Sequence, residues 1–496
     1  MLPILTRHRK SERAPLLSLV LLTLLLIASF LLRLADPPIR IWDEARQAHN
    51  ALYMHLHGDW LVTHFDGQPD MWNTKPPFLI WIQALLMKLI GINEWAVRLP
   101  AAATSIATGI LLWHWARRYL QNPWTGFLAG SVLASTYAYV YIHGGRFGEY
   151  DAPVTLCVCL YAYCLFCYRE TARARYLFLF WLAAAVAVLI KSVAGLLMLP
   201  GLGVYLLVQK QVLRILRTPA FYGGALAFLA IVGGFYVLRE SHNHGYLQAV
   251  YENELGGRFA TTIENHRHPF LYYLNNMKNW RYAYWFYLII PAFAAGFAWG
   301  TSRSRRLSLF NLCVIIPYWL IISSAQTKLE WYDLQLYPFL ALQIGIGLQA
   351  AYSRTLTRLP TAGHHWIVAP LLFVAVFAVP FRSCWKQVYA FSERWWDEPA
   401  HASCYFIRSA IADKKNLDGY VFLAEGYQAP LSFYLSKLWK EGGHPVLQGS
   451  VDGLLPGTRV VVNQDVLRQQ LLKRYVVREE KRLRYGCTIY QITASL

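Results

Sequence analysis

Charge is scarce in this sequence. Only 15% of its 496 residues are Asp, Glu, Lys or Arg, against about 25% in a typical soluble domain, while 56% are hydrophobic. So few ionisable groups cannot clothe a water-soluble surface. Carboxylates are scarcer still, 28 against 47 Lys and Arg, for a formal net charge of +19. That excess might suit nucleic acid if it formed one patch, but it is broken into short clusters between apolar runs, which excludes a nucleic-acid partner. Cysteine is sparse, eight in all. Cys157, Cys159, Cys164 and Cys167 fall in one apolar run, where charged thiolates facing lipid would be costly, so they read as small apolar residues and not as a zinc site. Cys384, Cys404 and Cys487 lie near the C-terminus, where one disulfide would leave a thiol over.

What is present is apolar sequence in blocks, among them Leu16 to Leu32, Leu182 to Ile190 and Val193 to Leu207. A bilayer core of about 30 Å takes roughly 20 such residues per helix. The first block is too long and leucine-rich for an easily cleaved signal peptide, and no small-residue cleavage site follows, so it reads as a retained helix. Between the blocks lie Arg7, Arg9, Lys10 and Arg13; Arg117 and Arg118; Arg169, Arg173 and Arg175; Lys210, Arg214 and Arg217; Arg303, Arg305 and Arg306; Arg354 and Arg358. Excess Lys and Arg stays in the cytoplasm. The intervening connections carry nearly all the carboxylates of the membrane half and therefore lie outside.

This alternation predicts an α-helical polytopic membrane protein with about eleven crossings, between ten and thirteen. The spans fall near 15–34, 99–116, 124–143, 152–168, 176–190, 193–208, 220–238, 283–300, 307–324, 333–352 and 365–381. Pro76–Ile90, short and headed by a Pro-Pro pair, reads as a helix along the outer surface. Residues 1–381 form the membrane domain, with outer loops 35–98 and 239–282. Residues 382–496 form a small outer α/β domain, because Gly419 to Leu423 and Arg459 to Asn463 read as strands, and Pro430 to Lys440 and Asp465 to Arg474 as helices. The tail shows no phosphate loop, metal cluster or nucleophile motif. With no Asn-x-Ser/Thr sequon, the expected setting is a bacterial inner membrane with the tail in the periplasm.

Chemistry should sit where outer loops hold ionisable groups against the membrane. The first loop runs Trp42-Asp43-Glu44-Ala-Arg46 to Asn50. On a helix, Asp43, Arg46 and Asn50 share a face, placing a carboxylate base beside a cation; the plainer alternative is a capping Asp. Then come Gly58-Asp59-Trp60 and Trp72-Asn73-Thr74-Lys75-Pro76-Pro77, in which Lys75 is either an anion ligand or a snorkelling interfacial lysine. Arg146, Glu149 and Asp151 stand at the mouth of a span. Lys191 lies between apolar blocks with no anion near it in sequence, a functional candidate by depth alone. Asn253-Glu254 to Arg258-Phe259 and Thr327-Lys328 to Tyr332-Asp333 complete the outer set. Several cations, two acidic patches and interleaved aromatics on one side of a membrane suit a substrate with a phosphate and a lipid tail.

The order Asp43-Glu44-x-Arg46, Gly58-Asp59-Trp60, Lys75-Pro-Pro, Asn93-Glu94-x-x-x-Arg98-Leu-Pro, Arg146 to Asp151, Lys191, Arg258-Phe259 and Thr327-Lys328-Leu-x-x-Tyr332 resembles the family of protein O-mannosyltransferases and lipid A aminoarabinose transferases. These are GT-C-type membrane glycosyltransferases that use polyprenyl-phosphate sugars. The resemblance runs from about Asp43 to Pro338. It implies inverting transfer of a sugar from a lipid-phosphate donor to a glycolipid, glycan or protein acceptor, with no nucleotide-sugar site. It also implies a base at Asp43 and a donor phosphate near Lys75, Arg258 and Tyr332. In the aminoarabinose transferases a Glu precedes the Lys-Pro-Pro lysine and a His lies five before the Arg-Phe arginine, and the two bind a metal. Here those positions hold Thr74 and Asn253, so no metal cofactor is expected, and Lys75 should be freer for phosphate.

The resulting expectation gives catalytic roles to Asp43, Glu44 and Asp151, with Asp151 orienting the acceptor or first loop. Donor-phosphate roles go to Lys75, Arg258, Tyr332, Arg46, Lys191 and Lys328. The rival from another class is a flippase for a lipid-linked sugar. It calls for charges across the bilayer and inverted repeats, whereas no repeat is visible and the ionisable groups gather on one side.

Overall fold

The computed structural model describes residues 2–141, 143–256, 262, 265–356, 365–394 and 397–496. Among them, eight helices are long and apolar enough to cross a membrane: Arg13–Phe30, Glu94–Leu120, Asp151–Thr171, Arg175–Leu196, Pro219–His242, Ser302–Ser324, Glu330–Thr355 and Ile367–Tyr389. The chain is a multi-pass helical membrane protein with a small C-terminal sheet. Eight of the eleven expected spans fall on these helices. The other three fall on shorter pieces, each with a local cause. Pro123–Ala134 stops where the Ser135 and Thr136 hydroxyls turn back onto Ser131 and Val132 carbonyls, 2.7 Å each, a competition that disfavours helix continuation. Leu199–Val208 follows a break at Ser192, whose φ is +49°. The third run is split into Ala283–Phe286 and Ile289–Ala298. The run 76–90 carries one short apolar helix, Phe78–Ile90.

The described chain divides into two compact units. The first contains Met1–Arg33, Pro69–Leu79 and Arg98–Ala390. Its helices approach closely where glycine allows. A Cβ on Gly126 would lie 2.5 Å from the Trp113 Cα, and one on Gly345 would lie 2.8 Å from the Thr125 carbonyl oxygen. The helix starting at Pro123 is capped by Asn122, whose side chain accepts the Trp124 and Thr125 amides at 3.0 and 3.2 Å, with proline at the first position where no donor is needed. The helix Asp151–Thr171 is mostly buried and carries Cys157, Cys159, Cys164 and Cys167 among packed aromatics. Cys384 lies here too, because the last long helix runs on to Tyr389, beyond its expected end at Phe381.

The second unit is assembled from Leu34–Gln68, Ile80–Val97 and Phe391–Leu496. Its centre is a five-stranded sheet. Tyr420–Leu423 pairs in parallel with Val446–Gln448 on one side and Arg459–Val462 on the other. Arg459–Val462 then pairs antiparallel with Thr488–Ser495, which pairs with the edge strand Tyr475–Arg482. Helices Glu398–Ala412, Ala429–Lys440 and Asp465–Arg474 complete the α/β arrangement. Val460, Val462, Leu467, Leu471 and Ile492 are buried in its core. All eight cysteines are unpaired and buried.

Candidate active site

In the first unit, Asp151 opens one long helix and Lys191 ends the next. The two side chains form a buried ion pair, 40 residues apart in sequence. Two opposite charges this far from water need each other. Lys191 has no anion near it in sequence, and the fold supplies one from Asp151. By the same contact Asp151 is paired with a cation instead of standing ready for an acceptor. Lys191 Nζ also lies 5.8 Å from the ring centre of Tyr332, and the Tyr332 carbonyl accepts the Tyr318 hydroxyl at 2.7 Å. Just behind Tyr332, Asp333 is fully buried against Arg281 at 2.9 Å and accepts the Tyr337 hydroxyl at 2.6 Å. That buried set fixes the short helix Glu330–Leu336 that presents Tyr332.

Beside this group lies Lys75. Its ammonium is 3.0 Å from the Glu254 carboxylate and 5.8 Å from the ring centre of Tyr150, the residue preceding Asp151. Asn73 donates to the Tyr150 hydroxyl at 2.9 Å, and the Tyr246 hydroxyl donates to the Thr74 carbonyl at 2.7 Å. This overturns the expectation that Lys75 is freed by the threonine at position 74. The carboxylate missing there is supplied by Glu254, toward which the Thr74 hydroxyl also points at 3.4 Å. Asn253 spends its amide on the Met71 carbonyl at 3.0 Å. Thr74 and Asn253 are therefore poor candidates for metal ligands, and the carboxylate between them is already matched by an ammonium. Arg258 lies outside the described residues.

Lys328 is buried, with Nζ 2.5 Å from the Ala325 carbonyl oxygen and its own amide donating to the His266 carbonyl at 2.9 Å. Burial, and then the nearby Arg267, pull its ammonium below the usual lysine value. It holds the turn after the helix Ser302–Ser324. Arg146 hydrogen-bonds the Ser29, Leu32 and Arg33 carbonyls that end the first helix. His143 pairs with Glu149 and stacks on Trp331 with ring centres 3.4 Å apart. Glu254, Tyr150, Tyr246 and His143 had no assigned role in the sequence. Aromatics flanking the Lys75 and Asp151 motifs were the available signal.

In the second unit, Asp43 begins the helix Asp43–His57 and is exposed. Glu44 is wholly buried, its carboxylate accepting the Arg40 amide at 2.7 Å. It closes the turn before the helix, which is not the catalytic post expected of it. The Arg46 guanidinium lies over the Phe65 ring at 4.4 Å, and Asn50 donates to the His64 carbonyl at 2.8 Å. Trp42, immediately before Asp43, has φ +72° and ψ −117°. Its ring is 63% exposed and stacks on Tyr427, centres 4.9 Å apart.

Upstream of Asp43, Arg40 makes a two-pronged contact with Glu393 at 2.7 and 2.8 Å. Burial alone would raise the Glu393 carboxyl, but hydrogen bonds from His401 and Arg40 outweigh it and bring it down to about 2. His401 Nδ1 lies 3.4 Å from Glu393, and burial holds its imidazole below the ordinary histidine value.

Known proteins resemble this chain in sequence and in fold. Residues 74–236 match the family described as dolichyl-phosphate-mannose-protein mannosyltransferase. An undecaprenyl phosphate-alpha-4-amino-4-deoxy-L-arabinose arabinosyl transferase of Aeromonas salmonicida is 29% identical over 330 residues, 65% of this chain and 58% of that protein. One from Pseudomonas fluorescens is 28% identical over 397 residues, 78% of this chain and 69% of its own. The chain thus spans little more than half the length of the Aeromonas relative. The crystal structure of ArnT from Cupriavidus metallidurans bound to undecaprenyl phosphate superposes with a TM-score of 0.69 at 17% identity, over 95% of this chain and 97% of that one. The oligosaccharyltransferase of Archaeoglobus fulgidus gives 0.53 at 11% identity, over 94% and 70%. By sequence the chain is similar to the aminoarabinose transferases and the protein mannosyltransferases, and by fold to ArnT and the archaeal oligosaccharyltransferase.

Proposed function

We propose that this protein transfers a sugar, with inversion, from a polyprenyl-phosphate donor to a hydroxyl or phosphate acceptor at the periplasmic face of a bacterial inner membrane. The observation that carries the reading is the cluster of Lys75, Glu254, Tyr150, Asp151, Lys191 and Tyr332, in a chain whose fold is that of an enzyme crystallised with undecaprenyl phosphate. Cations among aromatics at the ends of apolar helices suit a phosphate whose lipid tail lies along the helices.

In the reaction, the acceptor oxygen attacks the anomeric carbon and gives its proton to the Asp43 carboxylate. The bond from that carbon to the phosphate oxygen breaks, and its electron pair leaves with the lipid phosphate. Lys75, with Arg258, neutralises that charge, the kind of electrostatic stabilisation that dominates such steps. Lys191 and Asp151 act as one neutral pair that sets the Tyr332 side of the pocket. No divalent metal is assigned a role at positions 74 and 253, because Thr74 and Asn253 are engaged elsewhere and Glu254 is matched by Lys75.

The test uses purified full-length protein, undecaprenyl-phosphate mannose and undecaprenyl-phosphate aminoarabinose as donors, and cell-envelope extract as acceptor. Asp43→Asn should bind undecaprenyl phosphate normally and lose about 10²- to 10⁴-fold in turnover. Lys75→Ala should lose donor affinity as well as rate, since the phosphate is charged before and during transfer. Turnover should survive a chelator. Wild-type turnover in Asp43→Asn removes Asp43 from the chemistry. Movement of intact lipid-sugar across vesicles without bond cleavage, even in wild type, would make the protein a flippase.

A further inference from the structure

Residues 35–42, which lead into Asp43, have no regular secondary structure, so their backbone groups must find partners elsewhere. Side chains far along the chain supply them. Arg408 donates to the Ala35 and Asp36 carbonyls, 2.6 Å each. The Tyr434 hydroxyl accepts the Ile39 amide at 2.8 Å, and His401 Nε2 accepts the Ile41 amide at 3.1 Å. The Tyr427 hydroxyl donates to the Trp42 carbonyl at 3.1 Å while its ring stacks under the indole. These ties run up to the end that matters, since the last two fall on the two residues before Asp43. They also fall where the backbone is least willing. Trp42, a bulky residue, sits at φ +72°, a conformation that persists only where the surroundings over-determine it.

We infer that the C-terminal region takes part in the reaction through Asp43: His401 and Tyr427 are positioning residues that hold the Ile41–Trp42 turn and so aim the Asp43 carboxylate. The inference rests on Asp43 being the base. The Ile41 amide hydrogen requires a lone pair on His401 Nε2, which puts the imidazole proton on Nδ1, toward Glu393. The Trp42 carbonyl also accepts the Arg46 amide at 2.9 Å, so among the described residues releasing Tyr427 removes one of two hydrogen bonds to that carbonyl and leaves the helix's own. Were Trp42 to relax to negative φ, the Cα–Cβ direction of Asp43 would swing with it. A base displaced by about 1 Å can cost on the order of 100-fold in rate.

The experiment compares His401→Leu, His401→Gln, Tyr427→Phe and Asp43→Asn in the full-length protein, with both lipid donors and envelope extract. His401→Leu removes the acceptor for the Ile41 amide, whereas Gln places an oxygen near the lost Nε2. Tyr427→Phe keeps the stack and deletes the hydrogen bond. For His401→Leu and Tyr427→Phe, kcat should fall by about tenfold or more, while donor KM and undecaprenyl phosphate affinity stay near wild type, and Tyr427→Phe also keeps its melting temperature. His401→Gln should recover most of the rate. A Tyr427→Phe variant that folds and keeps its kcat overturns the inference, and so does a loss that appears in KM or in the failure of Gln to rescue. Should His401→Leu fail to fold, Tyr427→Phe still decides. Full turnover in Asp43→Asn would instead show that the base assignment had failed, whatever the other variants do.

Discussion

At the scale of single residues, Lys75 shows what sequence can reveal and where it stops. Its motif marked it as a phosphate ligand, and its place beside Tyr150 and Glu254 suits that role. Its partner could not be read, because Glu254 is 179 positions away and reaches it only through the fold. Lys191 and Asp151 were each singled out, yet their pairing was invisible for the same reason. The Lys75–Glu254 contact makes a prediction. Lys75→Ala strands a buried carboxylate close to where an anionic donor must bind, so it should impair stability as well as affinity. Adding Glu254→Gln should restore the melting temperature and part of the undecaprenyl phosphate affinity, but not turnover. The measure is the coupling in a double-mutant cycle. If the two substitutions are simply additive, the contact carries no weight.

At the scale of elements, the long apolar helices were legible because lipid demands a continuous run of about 20 residues. Breaks such as the one at Ser135–Thr136 were not, since they depend on hydroxyls turned back on the preceding turn. The tail's central strands Tyr420–Leu423 and Arg459–Val462 stood out as buried β-branched and aromatic runs. The edge strand Tyr475–Arg482 did not: its sequence is largely charged and its side chains mostly exposed, and only pairing with Thr488–Ser495 makes it a strand. Such charge is typical of an edge that must not recruit further strands.

Between these elements, the Arg40–Glu393–His401 contact gives an acid sensitivity with a defined sign. Glu393 is held near 2, below its ordinary 4.5, so its contribution is complete above about pH 4.5 and fades as pH falls toward 2. His401 is also lowered, from 6.5, so the unfolded chain takes up a proton first and stability declines below about pH 6.5. Both act in one direction, toward loss in acid. Melting temperature should therefore fall from about pH 7 toward about pH 2.5, and Glu393→Gln should flatten the part of that fall below about pH 4.5. A melting temperature that does not change over this range would remove both groups from the balance.

For the whole molecule, the distribution of Lys and Arg predicts an orientation that fold alone does not. We expect the first loop and the C-terminal region to face the periplasm, as the positive-inside rule requires. Single cysteines at Asp59 and Asp452 should react with a membrane-impermeant maleimide in cells whose inner membrane is intact. All eight native cysteines are buried, so background labelling should be low. Reaction at either site only after the inner membrane is opened would invert the topology.

The strap around Asp43 joins the beginning of the chain to its end, and this bears on how the protein is made. Ile39 meets its hydrogen-bond partner Tyr434 across 395 residues. At about 5 to 20 residues per second, the ribosome delivers Tyr434 roughly 20 to 80 s after Ile39 has left it. Throughout that interval the first loop must wait, its backbone solvated and unshaped, while the helices between are inserted one after another. On the proposed role of Asp43, activity waits until the chain has been made past Tyr434. A transcript cut short after the helix His365–Tyr389 should therefore yield an inserted but inactive protein.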